Sequence, residues 1–207
     1  MNFYDRYCLP RVLDFACGMK AITRQREKVV PMAAGQVLEV GIGTGQNLCH
    51  YDKRKVQRLW GLDPAAEMQP LARKRMTRAG LDVDMIPLSA EKIPQPDDRF
   101  DCIVLTYTLC SIPDPLAALS EMRRVLKPGG RLIYCEHGKS PDAGVHKWQE
   151  RLTPTWRKIA GNCHIGRDIP ALLQQAGFAD PNMSQGYIPG PKVLCYNYWG
   201  TARARNY

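Results

Sequence analysis

The 207-residue sequence has no apolar run approaching the ~20 residues needed to cross a bilayer. A membrane-spanning helix is therefore not expected. Its first twenty residues include Asp5, Arg6, Arg11, Asp14 and Lys20, which rules out the apolar stretch of a secretory signal. Eight cysteines occur, but none stands in a C-x-x-C pair, and the nearest neighbours are Cys102 and Cys110. Metal-ligand spacing is thus absent and no metal is expected. Several of the cysteines lie in apolar runs, where a free thiol acts as a small hydrophobe. These features together predict a reducing, cytoplasmic setting. No G-K-[ST] sequence is present, so a phosphate-gripping P-loop is excluded. Internal repeats and low-complexity segments are also missing.

What is present is ordinary globular composition, 44% hydrophobic and 24% charged. The length suits one domain over residues 1–207. The formal charge is +9, with clusters such as Lys53-Arg54-Lys55 and Arg73-Lys74-Arg75. Such a balance suits either a polyanion partner or a basic, solvated surface. No nucleic-acid motif accompanies it, so no nucleic-acid partner is expected.

Strand-like and helix-like runs alternate, which predicts an α/β fold with a mostly parallel sheet covered on both faces. Strands are expected at Gln36–Val40, Arg58–Leu62, Asp82–Ile86, Phe100–Leu105, Arg131–Glu136 and Val193–Trp199. Helices are expected at Ala65–Ala79, stopped by Gly80, at Leu116–Leu126 behind Asp114-Pro115, and at Pro170–Ala176. Residues 1–30 read as a helical lid or packing segment. Residues 138–168 fit no strand and read as a helical insertion after the fifth strand.

Glu39-Val40-Gly41-Ile42-Gly43-Thr44-Gly45 directly follows the first strand. Glycines serve where a backbone turns tightly against a ligand. The dinucleotide fingerprint G-x-G-x-x-G is not met, because the sixth position is Gln46. Asp63 ends the second strand, roughly twenty residues on, where an acid can bind ribose hydroxyls or cap the following helix. Ser89-Ala90-Glu91 follows the third strand, and Leu126-Lys127-Pro128-Gly129-Gly130 introduces the fifth.

This ordered series over residues 35–136 resembles the class I S-adenosylmethionine (SAM)-dependent methyltransferases. The resemblance implies a Rossmann-like fold with a seven-stranded sheet, SAM as cofactor and S-adenosylhomocysteine as product. It implies that Glu39 faces the methionine end, that Gly41, Gly43 and Gly45 pack against SAM, and that Asp63 holds the ribose. Ala90 and Glu91 would lie along the adenine, with Thr106 at the fourth strand's end beside the methyl group. Tyr4 and Tyr7 would either fold over SAM or dock the N-terminal helix on the sheet.

The fourth strand ends Leu105-Thr106-Tyr107-Thr108-Leu109-Cys110-Ser111, without the Asn/Asp-Pro-Pro-Tyr/Phe of base-methylating enzymes. Thr108–Ile112, Glu136-His137, Trp148-Gln149, Leu152–Trp156, Gly161–His164 and Arg167 resemble the mammalian alkyl thiol S-methyltransferases. Those proteins carry an N-terminal membrane anchor, which these opening residues do not resemble. The implied acceptor is a small-molecule thiol. Phospholipid N-methyltransferases and quinone C-methyltransferases share the core, and their acceptors are the alternatives. A non-catalytic SAM-binding subunit and an RNA methyltransferase are further readings. His137, Cys110 and Arg167 are the catalytic candidates. His137 would either take a proton or cap a loop. Cys110 and Cys163 would be reactive or merely packed. Arg167 and His164 would favour an anionic acceptor or play structural roles. Trp148 and Trp156 would wall an apolar pocket or pack in the core.

The first prediction comes from the Glu39 loop and Asp63. Calorimetry should find SAM and its demethylated product bound at low-micromolar Kd, roughly −8 kcal/mol. Tight NAD binding without SAM binding would overturn the reading.

Overall fold

The computed structural model describes residues 3–179 and 182–204. Five parallel strands carry the frame: β1 (Gly35–Val40), β2 (Val56–Leu62), β3 (Val83–Ile86), β4 (Phe100–Thr106) and β5 (Leu126–His137). Three more join at one side: β6 (Phe178–Ala179), β7 (Ser184–Tyr187) and β8 (Tyr196–Ala204). The order is β3-β2-β1-β4-β5-β8-β6, and β7 also pairs with β8. β8 runs antiparallel to β5. Phe178 faces Ala204, while Ser184–Tyr187 faces Trp199–Tyr196. Eight strands therefore occupy seven positions. The Ser-Gln-Gly-Tyr of β7 has no apolar alternation, so its pattern did not announce a strand.

Several expected boundaries move. β5 starts at Leu126 rather than Arg131, taking in Lys127-Pro128-Gly129-Gly130, the stretch expected as a turn. Val193–Trp199 is not one strand: a 3-10 turn takes Lys192–Leu194, closed by Leu194 N donating to the Pro191 carbonyl at 2.9 Å, and β8 starts at Tyr196. The helix expected from Ala65 becomes a 3-10 turn, Ala66–Met68, followed by α3 (Gln69–Ala79). To this the chain adds α1 (Leu9–Cys17), α2 (Lys20–Val29), α4 (Pro115–Val125), α5 (Ala143–Ile159) and α6 (Ile169–Gln175). The α4 start is as the sequence suggests, with the Asp114 carboxylate accepting from Leu116 N at 3.1 Å and Ala117 N at 3.0 Å.

Alternation along the strands sends side chains to opposite faces. Leu38, Ile103, Leu105 and Tyr134 are buried with Leu119 and Met122 of α4 and Leu173 of α6. Val37, Val104, Ile133 and Cys135 are buried on the other face with Val29 of α2 and, at its margin, Met76 of α3. Among the described residues, no helix is long and apolar enough to cross a membrane.

Two polar clamps position the covering segments. Asp14 of α1 pairs with Arg75 of α3 (Oδ1 to Nη1 2.7 Å, Oδ2 to Nη2 3.1 Å), and Gln46 Nε2 donates to Asp14 Oδ1 at 2.8 Å. Burial pushes the Asp14 carboxyl up, but the bonds from Arg75 and its neighbours hold it below its ordinary value. In α5 the fully buried Gln149 accepts from Ser140 N and donates through Nε2 to the carbonyls of Gly138, Ile165 and Val193, all within 3.1 Å. The Tyr4 hydroxyl donates to the Ile159 carbonyl at 2.8 Å, so the N-terminal segment also rests on α5.

Gln149→Leu leaves these buried backbone groups unpaired, at about 1–3 kcal/mol for each unsatisfied group. Urea unfolding should show a clearly lower midpoint with an unchanged slope. An unchanged midpoint would mean that other contacts hold α5.

Candidate active site

A cavity of about 550 Å³ opens at the carboxyl ends of β1, β2, β4 and β5. Open parallel sheets place ligands there, and the volume is that of a small-molecule site. α1 and α2 cover one side, and Trp156 of α5 and the 188–195 segment cover another. Of the residues singled out in the sequence, Glu39, Gly41, Gly43, Asp63, Ala90, Thr106, Cys110 and His137 all border it, although they come from well-separated parts of the chain.

Gly41 has φ 73°, and a Cβ there would lie 2.2 Å from the Thr108 side chain. Only glycine fits that approach between the β1 and β4 ends. Gly43 N donates to Asp63 Oδ2, and Ala65 N to Asp63 Oδ1, both at 2.8 Å. Asp63 therefore ties the loop to the turn after β2 while bordering the cavity. Gly45 is not among the residues that border the cavity; a Cβ there would meet Leu48 at 2.8 Å and Ala72 of α3 at 3.3 Å. Its smallness serves loop-to-helix packing.

The Glu39 carboxylate is 2% exposed. Asn47 Nδ2 donates to Oε1 at 3.0 Å and the Tyr51 hydroxyl to Oε2 at 2.8 Å. Asn47 also donates to Thr106 Oγ1 at 2.9 Å, joining the ends of β1 and β4. Burial raises the Glu39 pKa to about 7 against those bonds. Arg26 of α2 borders the same space at 5% exposure, and its buried Nε has no hydrogen-bond partner. Its guanidinium stands 4.9 Å over the Tyr107 ring, and Tyr107 itself holds a left-handed φ of 51°. Asn47, Tyr51, Arg26 and Tyr107 escaped sequence reading, because each gains its place from packing rather than from a motif.

Opposite the glycine loop is a corner of sulfur and imidazole. Cys163 Sγ lies 3.3 Å from His137 Nε2. The Cys110 thiol is held well below its ordinary pKa, first by the Cys163 thiol and then, against burial, by His137. Cys163 is driven the opposite way by the same pairing and keeps its proton. Burial alone would lower the His137 pKa, but the Cys110 charge raises it. Beside them the fully buried Glu136 accepts from Thr108 N at 2.8 Å and has a pKa raised by burial to about 8.

The other candidates lie outside the cavity lining. Tyr7 is half-exposed and its ring meets that of Phe3 at a tilt, centroids 5.1 Å apart, within its own segment. Glu91 turns to Ser89 and to Asp114 N. Arg167 donates to the Leu109 carbonyl and braces the segment that carries Cys110. Trp148 is 55% exposed and walls nothing, whereas Trp156 does border the cavity.

The methyltransferase-domain family matches residues 38–134. Thiol S-methyltransferase TMT1B of Homo sapiens is 33% identical over 174 residues, covering 78% of this chain and 70% of that protein. With TMT1B of Rattus norvegicus the 33% identity extends over 70% of this chain but only 60% of the relative. Phosphatidylethanolamine N-methyltransferase of Cereibacter sphaeroides is 32% identical over 70% of this chain and 73% of its own length. The chain belongs to the SAM-dependent methyltransferases. A SAM-dependent methyltransferase of Thermotoga maritima shares the fold at TM-score 0.69, with 21% identity and 98% of each chain covered.

The cofactor of this methyltransferase is therefore SAM, and the cavity residues suit it. The buried, unpartnered Arg26 donor matches a carboxylate, and the buried Glu39 carboxylate matches an ammonium. Asp63 also borders the cavity, and its carboxylate would suit a ribose's hydroxyls.

Gly41→Val should abolish SAM binding in calorimetry, since the side chain would collide with Thr108. Asp63→Ala should weaken it by about 1.5–3 kcal/mol through lost bonds to a charged group. A pH effect also follows. Below pH 7 the free protein favours protonated Glu39, and a cation held beside it favours the carboxylate. SAM affinity should thus rise from pH 5 toward pH 7, and Glu39→Gln should flatten the profile. A flat wild-type profile would remove Glu39 from contact with the cation.

Proposed function

We propose that this methyltransferase transfers a methyl group to the sulfur of a small, apolar thiol. The observation that carries the reading is the Cys110–His137–Cys163 corner on the cavity wall. SAM, once bound, supplies an electrophilic methyl carbon on a sulfonium. The remaining need is a deprotonated nucleophile placed in line with it. An ordinary thiol of pKa ~8.5 requires only modest help. Cys110, whose thiol proton is loosened by Cys163 and His137, and His137 itself border the cavity as the groups that take up the proton of the incoming thiol. Leu9, Leu13, Ile22, Trp156 and Ile188 supply apolar wall for the acceptor's carbon chain. Arg167 acts through the Leu109 carbonyl to position Cys110.

The similarity to TMT1B supports the thiol reading, and the similarity to a phosphatidylethanolamine N-methyltransferase supports a phospholipid amine as the second reading. Among the described residues, imidazole and thiolate are the strongest ionised bases that border the cavity, which disfavours a quinone precursor. We place the reaction in a reducing, cytoplasmic setting, in keeping with eight free cysteines.

Label transfer from SAM should be greatest to small apolar thiols, with a rate rising from pH 6 toward pH 9. A more acidic thiol should reach its plateau at lower pH. His137→Ala should slow the reaction most at low pH, where acceptor thiolate is scarce. Phospholipid amines or quinols turning over about a hundredfold faster than any thiol, some 2.7 kcal/mol of barrier, would overturn the thiol assignment. SAM binding without turnover of any acceptor would leave a non-catalytic partner subunit.

A further inference from the structure

Proton handling does not exhaust what the sulfur and imidazole corner offers. The Sγ atoms of Cys110 and Cys163 and a ring nitrogen of His137 all lie within 4.8 Å of one another. Around a tetrahedral Zn²⁺, with bonds of about 2.3 Å to sulfur and about 2.0–2.1 Å to nitrogen, such atoms stand about 3.5–3.8 Å apart. Gathering these three onto an ion therefore needs a contraction of at most about 1.3 Å, within the reach of side-chain torsions.

The backbone that carries them is already braced. His164 N donates to the Cys110 carbonyl at 2.9 Å, and Asn162 Nδ2 to the Ser111 carbonyl at 3.1 Å, so the two cysteine segments are bonded to each other. His137 closes β5 and is fixed by pairing with Asn197 of β8. Charge also permits an ion. Two thiolates neutralise a divalent cation, so the nearby Arg167 guanidinium meets no net positive charge. All three side chains border the cavity, which leaves one side of the group facing open space. Three protein ligands and an open position are the arrangement of a reactive zinc site rather than a closed structural one. The three ligands match no metal-binding spacing, because they are spread along the chain; 26 residues separate His137 from Cys163.

We propose that Cys110, His137 and Cys163 bind one Zn²⁺, with the fourth coordination position open to the SAM cavity. Cys110 and Cys163 bind as thiolates, releasing to solvent whatever protons they hold as the metal–sulfur bonds form. The site stands on this geometry alone. Its use rests on the thiol reading above: the acceptor thiol takes the fourth position and gives its proton to solvent. Its sulfur then forms a bond to the methyl carbon as the carbon–sulfonium bond breaks, leaving that electron pair on the cofactor's sulfur. The zinc–sulfur bond is released with the neutral thioether.

The test uses the full chain, reduced and stripped with a chelator. Zn²⁺ is titrated against a chromophoric competitor, and Co²⁺ is followed by absorption. One tight Zn²⁺ per chain and a thiolate-to-Co²⁺ charge-transfer band are expected. Cys110→Ser and Cys163→Ser should each weaken Zn²⁺ binding about a hundredfold or more, with SAM binding reporting that the fold persists. A wild-type chain without the Co²⁺ band overturns the site whether or not the variants fold. So does Zn²⁺ affinity equal to that of the double cysteine variant. Addition of hexanethiol should shift the Co²⁺ spectrum; an unchanged spectrum overturns the sulfur-anchoring role. A metal site that forms while no thiol is methylated would refute the thiol reading and leave the ion site standing.

Discussion

The buried carboxylate of Glu39 is the constraint around which this molecule is arranged. An acid at the end of a central strand, closed off from water, is expensive unless paired. The rise of its pKa from 4.5 to about 7, at about 1.4 kcal/mol per pH unit, amounts to on the order of 3 kcal/mol against the ionised form. Tyr51 and Asn47 offset part of the cost, and to do so the residues after the glycine loop must fold back under β1. Asn47 then reaches Thr106, which fixes the end of β4 relative to β1. What remains uncompensated is what a cationic ligand can supply. The site thus stores its preference for a positive charge in the protein's own unpaid desolvation.

The covering segments follow from a second set of polar bonds. Asp14, Arg75 and Gln46 lock α1 to α3 and to the glycine loop. Tyr4 carries the N-terminal segment onto α5, and Gln149 carries α5 onto the β5 end and the segment before β8. Two parts of the chain that are distant in sequence therefore cover the cavity as one unit. Glu136 plays a quieter part: with both oxygens on Thr108 N it holds the loop that presents Cys110, opposite Gly41.

The fate of the glycines and acids illustrates how motif reading succeeds and fails. Gly41 and Asp63 were legible because a close approach and a strand-end acid leave fixed residue types at fixed spacing. Gly45 carries the same letter in the same motif, yet its missing side chain makes room for Leu48 and Ala72. Glu91 has the right type and position in sequence, but Asp114 N at the start of α4 draws it away. Tyr7 and Trp148 are aromatic near a site and nevertheless face outward. A residue's type limits what it can do, but its neighbours in space choose among the possibilities.

By itself the sequence determined the alternation of strands and helices, the parallel frame and the glycine turn after β1. These depend on local periodicity and on residues a few positions apart, where physical forces act within one element. Only the tertiary structure decided that Asn47, Tyr51 and Arg26 serve Glu39, that the seventh sheet position is split between β6 and β7, and that Cys110, His137 and Cys163 meet. Each of these joins residues that are far apart along the chain. Such a contact leaves no period or spacing to read, because it is set by how the helices and strands pack, and a small change in packing would send the same side chains elsewhere.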